Sequence, residues 1–326
     1  MAGLPAVLAF DPVHTAAVFP PDVLARLGRS LDLRGPYPSL GGVDLADTEV
    51  VVTGWGGPPI DAAVLDRAPR LRAVLHSAGS VKAFVGPEVF ERGIQVSSAA
   101  GVNAVPVAEY TLAALVLAAK RVLPAGRRAP VDERQVTTPT GIGLRGRAVG
   151  VVGASRVGRL VVAGLVVAGA RVLLADPYLG AEAASAMGAE LTGLDALCRS
   201  CDLVTVHAPE LPSTRHMFDR RRLGLLPDGT VLVNTSRGSL LDHEALAEEC
   251  GAGRLAAVLD VTDPEPLPPD HPLLSLPEVL ITPHVAGASG RERRLLGEFT
   301  AAEAERLTAG QALQGLVRWD ELSRSA

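Results

Sequence analysis

The sequence predicts an α/β protein of two domains built on doubly wound parallel sheets, and three observations carry that expectation. From Arg147 onward, unbroken β-branched runs alternate with helical segments, the pattern of a parallel sheet covered on both faces. The stretch "RAVGVVGASRVGRLVV" (147–162) reads as a buried strand, a glycine-punctuated turn and a helix. The length, 326 residues, exceeds one ordinary core at roughly 150 residues per domain.

In chain order, the first hundred residues alternate short apolar runs with polar or helical segments: "AVLAF", "EVVVTGW", "LRAVLHSAG" and "GIQVSSAAG". That rhythm predicts a small α/β unit. The opening "MAGLPAVLAFDPVH" lacks a positive leader and meets Asp11 early, so it reads as a first strand and not as a secretory signal. Next, "NAVPVAEYTLAALVLAAKR" (103–121) predicts a long helix carrying the chain between domains, with Glu109 early and Lys120 late as the helix dipole favours. Its charge-free run, 110–119, is about half the ~20 residues a membrane span needs. Strands follow at "AVGVVG", "RVLLAD", "DLVTVH", "TVLVNTS", "LAAVLDV" and "VLITPH", with helices between most of them. The Pro-rich "DPEPLPPDHPLLSLP" (263–277) predicts an ordered surface loop. A last helix, about 289–309, and the tail "LQGLVRWDELSRSA" return to the first domain. Residues 103–289 then form a domain inserted into one made of 1–102 and 290–326.

Composition narrows the function classes. With 48% hydrophobic and 21% charged residues the chain has ample apolar surface for compact cores. A net charge of -5 without a basic run argues against a nucleic-acid partner, and a membrane partner is not expected. The three cysteines, Cys198, Cys201 and Cys250, make no disulfide framework and point to a reducing, cytoplasmic setting. "CRSC" has no second pair and no neighbouring His ligands, so its cysteines read as incidental helix positions and no metal site is expected.

A dinucleotide-binding turn takes the form G-x-G-x-x-G, and here the frame is Gly153, Ala154, Ser155, Arg156, Val157, Gly158. Gly153 permits the tight turn, Gly158 lets helix and strand approach, and position 155 brings backbone close to a pyrophosphate at the helix N-terminus. Serine there is a mild replacement whose hydroxyl can itself donate to phosphate. The fingerprint's second part is an acid about 20 positions on, at the end of the second strand; Asp176 in "RVLLADPY" supplies it. Its charge would repel a 2′-phosphate, which favours NAD over NADP.

Several later strands end in polar residues: Arg237 after "TVLVNTS", Glu265 after "LAAVLDV" and His284 after "VLITP". Singly, each reads as a loop cation, a surface carboxylate or a strand-end cap. Together they supply what reduction of a 2-keto acid requires: a cation for the carboxylate and carbonyl, a proton donor, and a carboxylate that keeps the donor protonated.

The segments "GLRGRAVGVVGASRVGR", "VTVHAPELPSTRHMF", "LLPDGTVLVNTSRGSLLDHEAL", "GRLAAVLDVTDPEPLPPDHPLLSLPEVLITPHVAG" and "GVNAVPVAEYTLAALVLAAKR" resemble the D-isomer-specific 2-hydroxyacid dehydrogenases, of the phosphoglycerate dehydrogenase type, over about 71–288. The resemblance implies two Rossmann-like domains, with the NAD-binding domain inserted into a flavodoxin-like substrate domain. It also implies a homodimer formed largely through the cofactor domain. In its terms Arg237 holds the substrate carboxylate and polarises the carbonyl, His284 is the acid/base, and Glu265 pairs with His284. NAD contacts fall at Arg156 and Val157, at Asp176 on the ribose, at Thr235, Ser236 and Arg237 beside the nicotinamide ribose, and at Asp260 on the carboxamide. The amides of Ser77, Ala78 and Gly79 would receive the carboxylate of a small-molecule 2-keto or 2-hydroxy acid, with glyoxylate, hydroxypyruvate, pyruvate and bulkier or aromatic acids all open. Two alternatives stay open at this stage. One is formate-dehydrogenase-like hydride transfer, against which Glu265 argues because that group uses Gln. The other is an NAD(H)-sensing regulator without catalysis.

Outside this set, His207 reads as structural or adenine-lining, and His14, His216, His243 and His271 as surface residues. His76 stands just before the substrate loop. Trp55 reads first as packing and second as a cap over the site.

Overall fold

The computed structural model describes residues 3–122 and 143–322. They divide into two units, one of Met1–Ala104 with Ala288–Ser325 and one of Val105–Gly287. Of the segments read from sequence, the first two residues and the last four of the tail lie outside the described residues.

In the first unit, β1 (Leu4–Ala9), β2 (Leu31–Arg34), β3 (Val50–Thr53), β4 (Ala73–His76) and β5 (Gln95–Ser98) form a parallel sheet in the order β2-β1-β3-β4-β5. Alternate residues point to opposite faces. Ala6, Leu8, Val52 and Leu75 therefore join Phe10, Leu27 and Leu296 in one core, while Val7, Val51, Val74 and Val96 join Leu65 and Val89 in the other. Asp11 and Asp61 start the helices Pro12–Val18 and Ala62–Arg67 by accepting the amides of Val13 and Val64.

The chain's return is built into this unit. The helix Arg293–Thr308 lies so close to Val18 that a Cβ on Gly297 would stand 1.9 Å from the Val18 carbonyl oxygen. Its buried Glu303 accepts from Ser97 Oγ, from the Gln314 and Gly315 amides and from Arg306. That anchors β13 (Leu316–Val317) antiparallel against β5.

The second unit holds β6 (Ala148–Val152), β7 (Arg171–Ala175), β8 (Ala189–Leu191), β9 (Leu203–Val206), β10 (Val231–Asn234), β11 (Ala256–Leu259) and β12 (Val279–Ile281). All neighbours are parallel, in the order β8-β7-β6-β9-β10-β11-β12. The order reverses between β6 and β9, and in such sheets ligands bind outside the carboxyl ends of the strands at that point. Val152, Val204 and Leu232 feed one core face; Val149, Val151, Val233 and Val258 feed the other.

Two sequence expectations change here. The inter-unit helix runs Ala100–Ala119, 20 residues, through Pro106 and Glu109, so it is present as expected but begins and ends two to three residues earlier than 103–121. By length and composition it could cross a membrane, but half of it is buried in the protein. His243 and His271 are buried, not surface residues. Each begins a helical turn: His243 Nδ1 meets the Leu241 carbonyl, and His271 Nδ1 accepts the Leu273 amide. The cysteines all lie in the core as free thiols, and burial pushes Cys198 up to about 11 and Cys201 and Cys250 up to about 12.

Candidate active site

The turn after β6 is shaped for close backbone approach. Gly153 has φ +96, and a Cβ there would stand 2.8 Å from His207 and Ala208 backbone atoms. At Gly158 a Cβ would stand 2.0 Å from the Gly153 oxygen, so the helix Arg156–Val167 reaches the strand only through glycine. Ser155 is the N-cap of that helix, its Oγ accepting the Gly158 amide at 3.2 Å. The amides of Arg156 and Val157 meet no acceptor among the described residues, as expected of a first turn able to take an anion. Asp176, one residue past β7, accepts the Ala154 amide at 2.7 Å and the Tyr178 amide at 2.8 Å. A carboxylate is thus fixed beside the turn. The glycines, the free amides and the acid together fit a dinucleotide.

Beyond β10 the loop 235–238 is braced from within. Buried Asn234 donates to the Arg237 carbonyl at 2.8 Å and accepts the Ser236 amide at 3.0 Å. Ser236 Oγ donates to the Ala208 carbonyl. Thr111 spends its proton on the Val107 carbonyl, so Thr235 donates to Thr111 Oγ1 across 2.8 Å. The hydroxyls of Thr235 and Ser236 therefore face the protein, contrary to a ribose contact through their protons. One Arg237 nitrogen donates to the Ser236 carbonyl at 2.7 Å, and the rest of its fork of donors is half-buried.

At β11 and β12 an imidazole–carboxylate pair forms. His284 Nδ1 lies 2.7 Å from Glu265 Oε1, both side chains well exposed. An ionised carboxylate only accepts, so Nδ1 donates to Glu265, and Nε2 is left outside that bond. His284 has φ +53, a left-handed conformation that costs an L-residue about 1–2 kcal/mol. Asp260 is buried and supports this turn: Oδ1 accepts Thr282 Oγ1 at 2.6 Å and the Val285 amide at 2.9 Å, Oδ2 accepts the Ala286 amide at 2.8 Å, and its carbonyl accepts the His284 amide at 3.0 Å. Most of the acceptor capacity expected to serve a carboxamide is thereby engaged within the chain. Tyr110 joins the group through Thr282, 2.7 Å away, and burial raises its hydroxyl above the ordinary tyrosine range. Asn234, Thr282 and Tyr110 were not singled out from sequence; the signals were an Asn just before "TSR" and a Thr two before the His.

The other residues expected from sequence to bind substrate lie in the first of the two compact units. The Ser77 amide donates to the Thr53 carbonyl at 2.7 Å and is not free for a ligand, whereas the amides of Ala78 and Gly79 have no acceptor among the described residues. Ser98 Oγ holds this loop through its carbonyls. His76 is buried against Phe84, with ring centroids 4.7 Å apart, and burial lowers its pKa to about 3. His207, in the second unit, is driven to about 3 by burial as well and pairs with Thr205. Trp55 packs on the first unit's core, with the Arg293 guanidinium 5.6 Å from its ring centroid and the His14 ring edge-on to it.

Residues 113–286 match the family described as D-isomer specific 2-hydroxyacid dehydrogenase, NAD binding domain. A D-3-phosphoglycerate dehydrogenase of Methanocaldococcus jannaschii is 31% identical over 317 residues, 95% of this chain but 59% of that longer relative. A glyoxylate reductase of Korarchaeum cryptofilum is 34% identical over 264 residues, 79% of this chain and 80% of its own length. Among solved structures, the TT0316 protein from Thermus thermophilus aligns with a TM-score of 0.77 at 29% identity, covering 96% of this chain and all of that one.

Proposed function

This chain belongs to the D-isomer specific 2-hydroxyacid dehydrogenase family, and we propose that it interconverts a small 2-keto acid and the matching D-2-hydroxy acid, with His284 as the acid and base. NAD, when bound, supplies or takes up the hydride. The residues Gly153, Ser155, Arg156, Val157, Gly158 and Asp176 would hold its pyrophosphate and ribose, with Thr235, Ser236 and Asp260 near the nicotinamide end. The observation that carries the reading is the 2.7 Å pair of His284 and Glu265.

In reduction, His284 Nε2 gives a proton to the carbonyl oxygen as it gains electron density. In oxidation the neutral ring takes the hydroxyl proton back. Glu265 stabilises the imidazolium through Nδ1 and fixes which nitrogen faces the substrate. Arg237 would bind the substrate carboxylate and polarise the carbonyl through donors left over after its bond to Ser236. On the first unit, the amides of Ala78 and Gly79, without an acceptor among the described residues, would be donors for a substrate carboxylate, with Ser77 as the structural end of that loop. The relatives named for phosphoglycerate and glyoxylate chemistry support a small 2-keto acid as substrate. A homodimer and a cytoplasmic location belong to the same reading. The exposed apolar residues Val105, Val116 and Leu117 on the helix Ala100–Ala119 support the first, and three free buried thiols support the second.

The test is kcat/KM in both directions for the protein, Glu265→Gln and His284→Ala, followed at the NADH absorbance with a panel of 2-keto acids and the matching 2-hydroxy acids. Both directions should respond to each substitution, because the same ring gives the proton in reduction and takes it in oxidation. Glu265→Gln, which removes the charge facing the ring, should lower kcat/KM for reduction, and His284→Ala should lose most of the activity. Full activity in His284→Ala would sink the mechanism.

A further inference from the structure

Behind the His284 turn runs a line of hydroxyls that the proton transfer does not use. Asp260 as a carboxylate can only accept, so Thr282 Oγ1, 2.6 Å from its Oδ1, must donate to it. Having spent its single proton there, Thr282 can only accept from Tyr110, whose hydroxyl oxygen lies 2.7 Å away. The direction of both protons is thereby set, from Tyr110 to Thr282 and from Thr282 to Asp260. Asp260 in turn takes the amides of three consecutive residues, His284 on its carbonyl and Val285 and Ala286 on its carboxylate.

We propose that Tyr110 and Thr282 are positioning residues that aim the His284 ring by holding the Asp260 carboxylate in place, an inference that rests on His284 being the acid/base. The His284 side chain is half-exposed, and its bonded partner Glu265 is also well exposed, so packing does not set the ring's direction. Direction comes from the backbone, which at His284 is held at φ +53. What holds it there is the His284 amide, shared between the Asp260 and Thr282 carbonyls at 3.0 Å each, with the Asp260 carboxylate braced by Thr282 before the turn and by two amides after it. Tyr110 sits in the middle of a helix of 20 residues, and so ties the turn to a long rigid element and not to another loop.

The test uses the full chain with Thr282→Val, Thr282→Ser, Tyr110→Phe, His284→Ala and the double variant His284→Ala/Thr282→Val. Turnover is read with whichever of glyoxylate, hydroxypyruvate, pyruvate and phenylpyruvate the wild type reduces. Thr282→Val should lower kcat on the order of tenfold, as a misaimed reacting group does, with KM for NADH changed by less than about twofold. Serine keeps the hydroxyl, so Thr282→Ser should restore kcat, and Tyr110→Phe should cost about threefold. Amide exchange of the cofactor-free chain supplies a second readout. In Thr282→Val the Val285 and Ala286 amides should exchange about tenfold faster, while the helix Arg293–Thr308 is unchanged. On the His284→Ala background, Thr282→Val should add no further loss of kcat. Wild-type kcat and wild-type exchange in Thr282→Val overturn the inference, as does an undiminished loss on the His284→Ala background. If Thr282→Val does not fold, Tyr110→Phe with wild-type kcat and exchange overturns it. Full activity in His284→Ala instead overturns the reading beneath it, and the exchange result then still decides whether the hydroxyl line holds the turn.

Discussion

Replacing Ser155 with alanine removes a hydroxyl that accepts the Gly158 amide at 3.2 Å and so caps the helix Arg156–Val167. Loss of a serine N-cap to alanine costs about 1 kcal/mol, but to glycine only a few tenths, because glycine leaves the first amides open to water. A unit of roughly 150–250 residues shifts its midpoint about 2–4 °C per kcal/mol. Calorimetry of the whole chain should therefore find Ser155→Ala lower by about 2–4 °C and Ser155→Gly by about 1 °C or less. The hydroxyl is directed at Gly158, so it does not crowd the free amides of Arg156 and Val157. NAD affinity of Ser155→Gly, by titration calorimetry, should then stay within about threefold of the parent. A glycine variant as destabilised as the alanine variant would refute the cap. A tenfold gain in NAD affinity on going to glycine would show that the serine crowds the pyrophosphate.

Asp176→Ala takes the acceptor from the Ala154 and Tyr178 amides, so it should weaken NAD binding about tenfold, the loss of one bond to a charged group, while narrowing the preference over NADP. Unchanged affinity together with unchanged preference, measured by fluorescence titration, would count against both roles. Buried His76 and His207 have pKa values lowered from 6.5 to about 3 by burial. Below pH 6.5 the unfolded chain takes up protons that the folded chain refuses, so stability is full above that pH and falls toward about 3. Each histidine then removes about 1.4 kcal/mol per pH unit, or about 3 kcal/mol for the pair at pH 5.5. Urea unfolding between pH 7.5 and 5 checks this, with His76→Gln expected to flatten the slope; equal stability across that range would show the two rings are not held neutral.

The strands legible in the sequence are those buried on both faces. In "VVVT", "AVGVV", "VLVN" and "AAVL" nearly every position is buried, so no solvent face interrupts the apolar run and the segment is visible without an alignment. The missed strands are short and marginal in the sheet. β2 reads "LDLR" with its last three residues at least partly exposed, β8 is "AEL", and β13 has two residues. Their pairing comes from a neighbour's free edge, which a local pattern does not encode. The two buried histidines were misread for a related reason: each occupies the start of a helical turn, where a polar residue is expected, and burial comes from what packs over the turn.

The site was legible to the extent that its chemistry sits at strand ends. Arg237, Glu265 and His284 each follow an apolar run within a few residues, and a parallel sheet delivers such residues to one edge. What braces them had no such marker. Tyr110 and Thr282 are 172 positions apart, and neither is unusual in its own segment; only the fold makes one hydroxyl the donor to the other. Asp260 was read for its charge, and the charge is what the turn uses, since only a carboxylate accepts Thr282 and two amides at once without offering a proton of its own. An amide at that position would keep the shape and put two donors where acceptors are needed. The His284 turn therefore depends on an acid at 260 for its geometry, independently of any contact that residue makes with a cofactor.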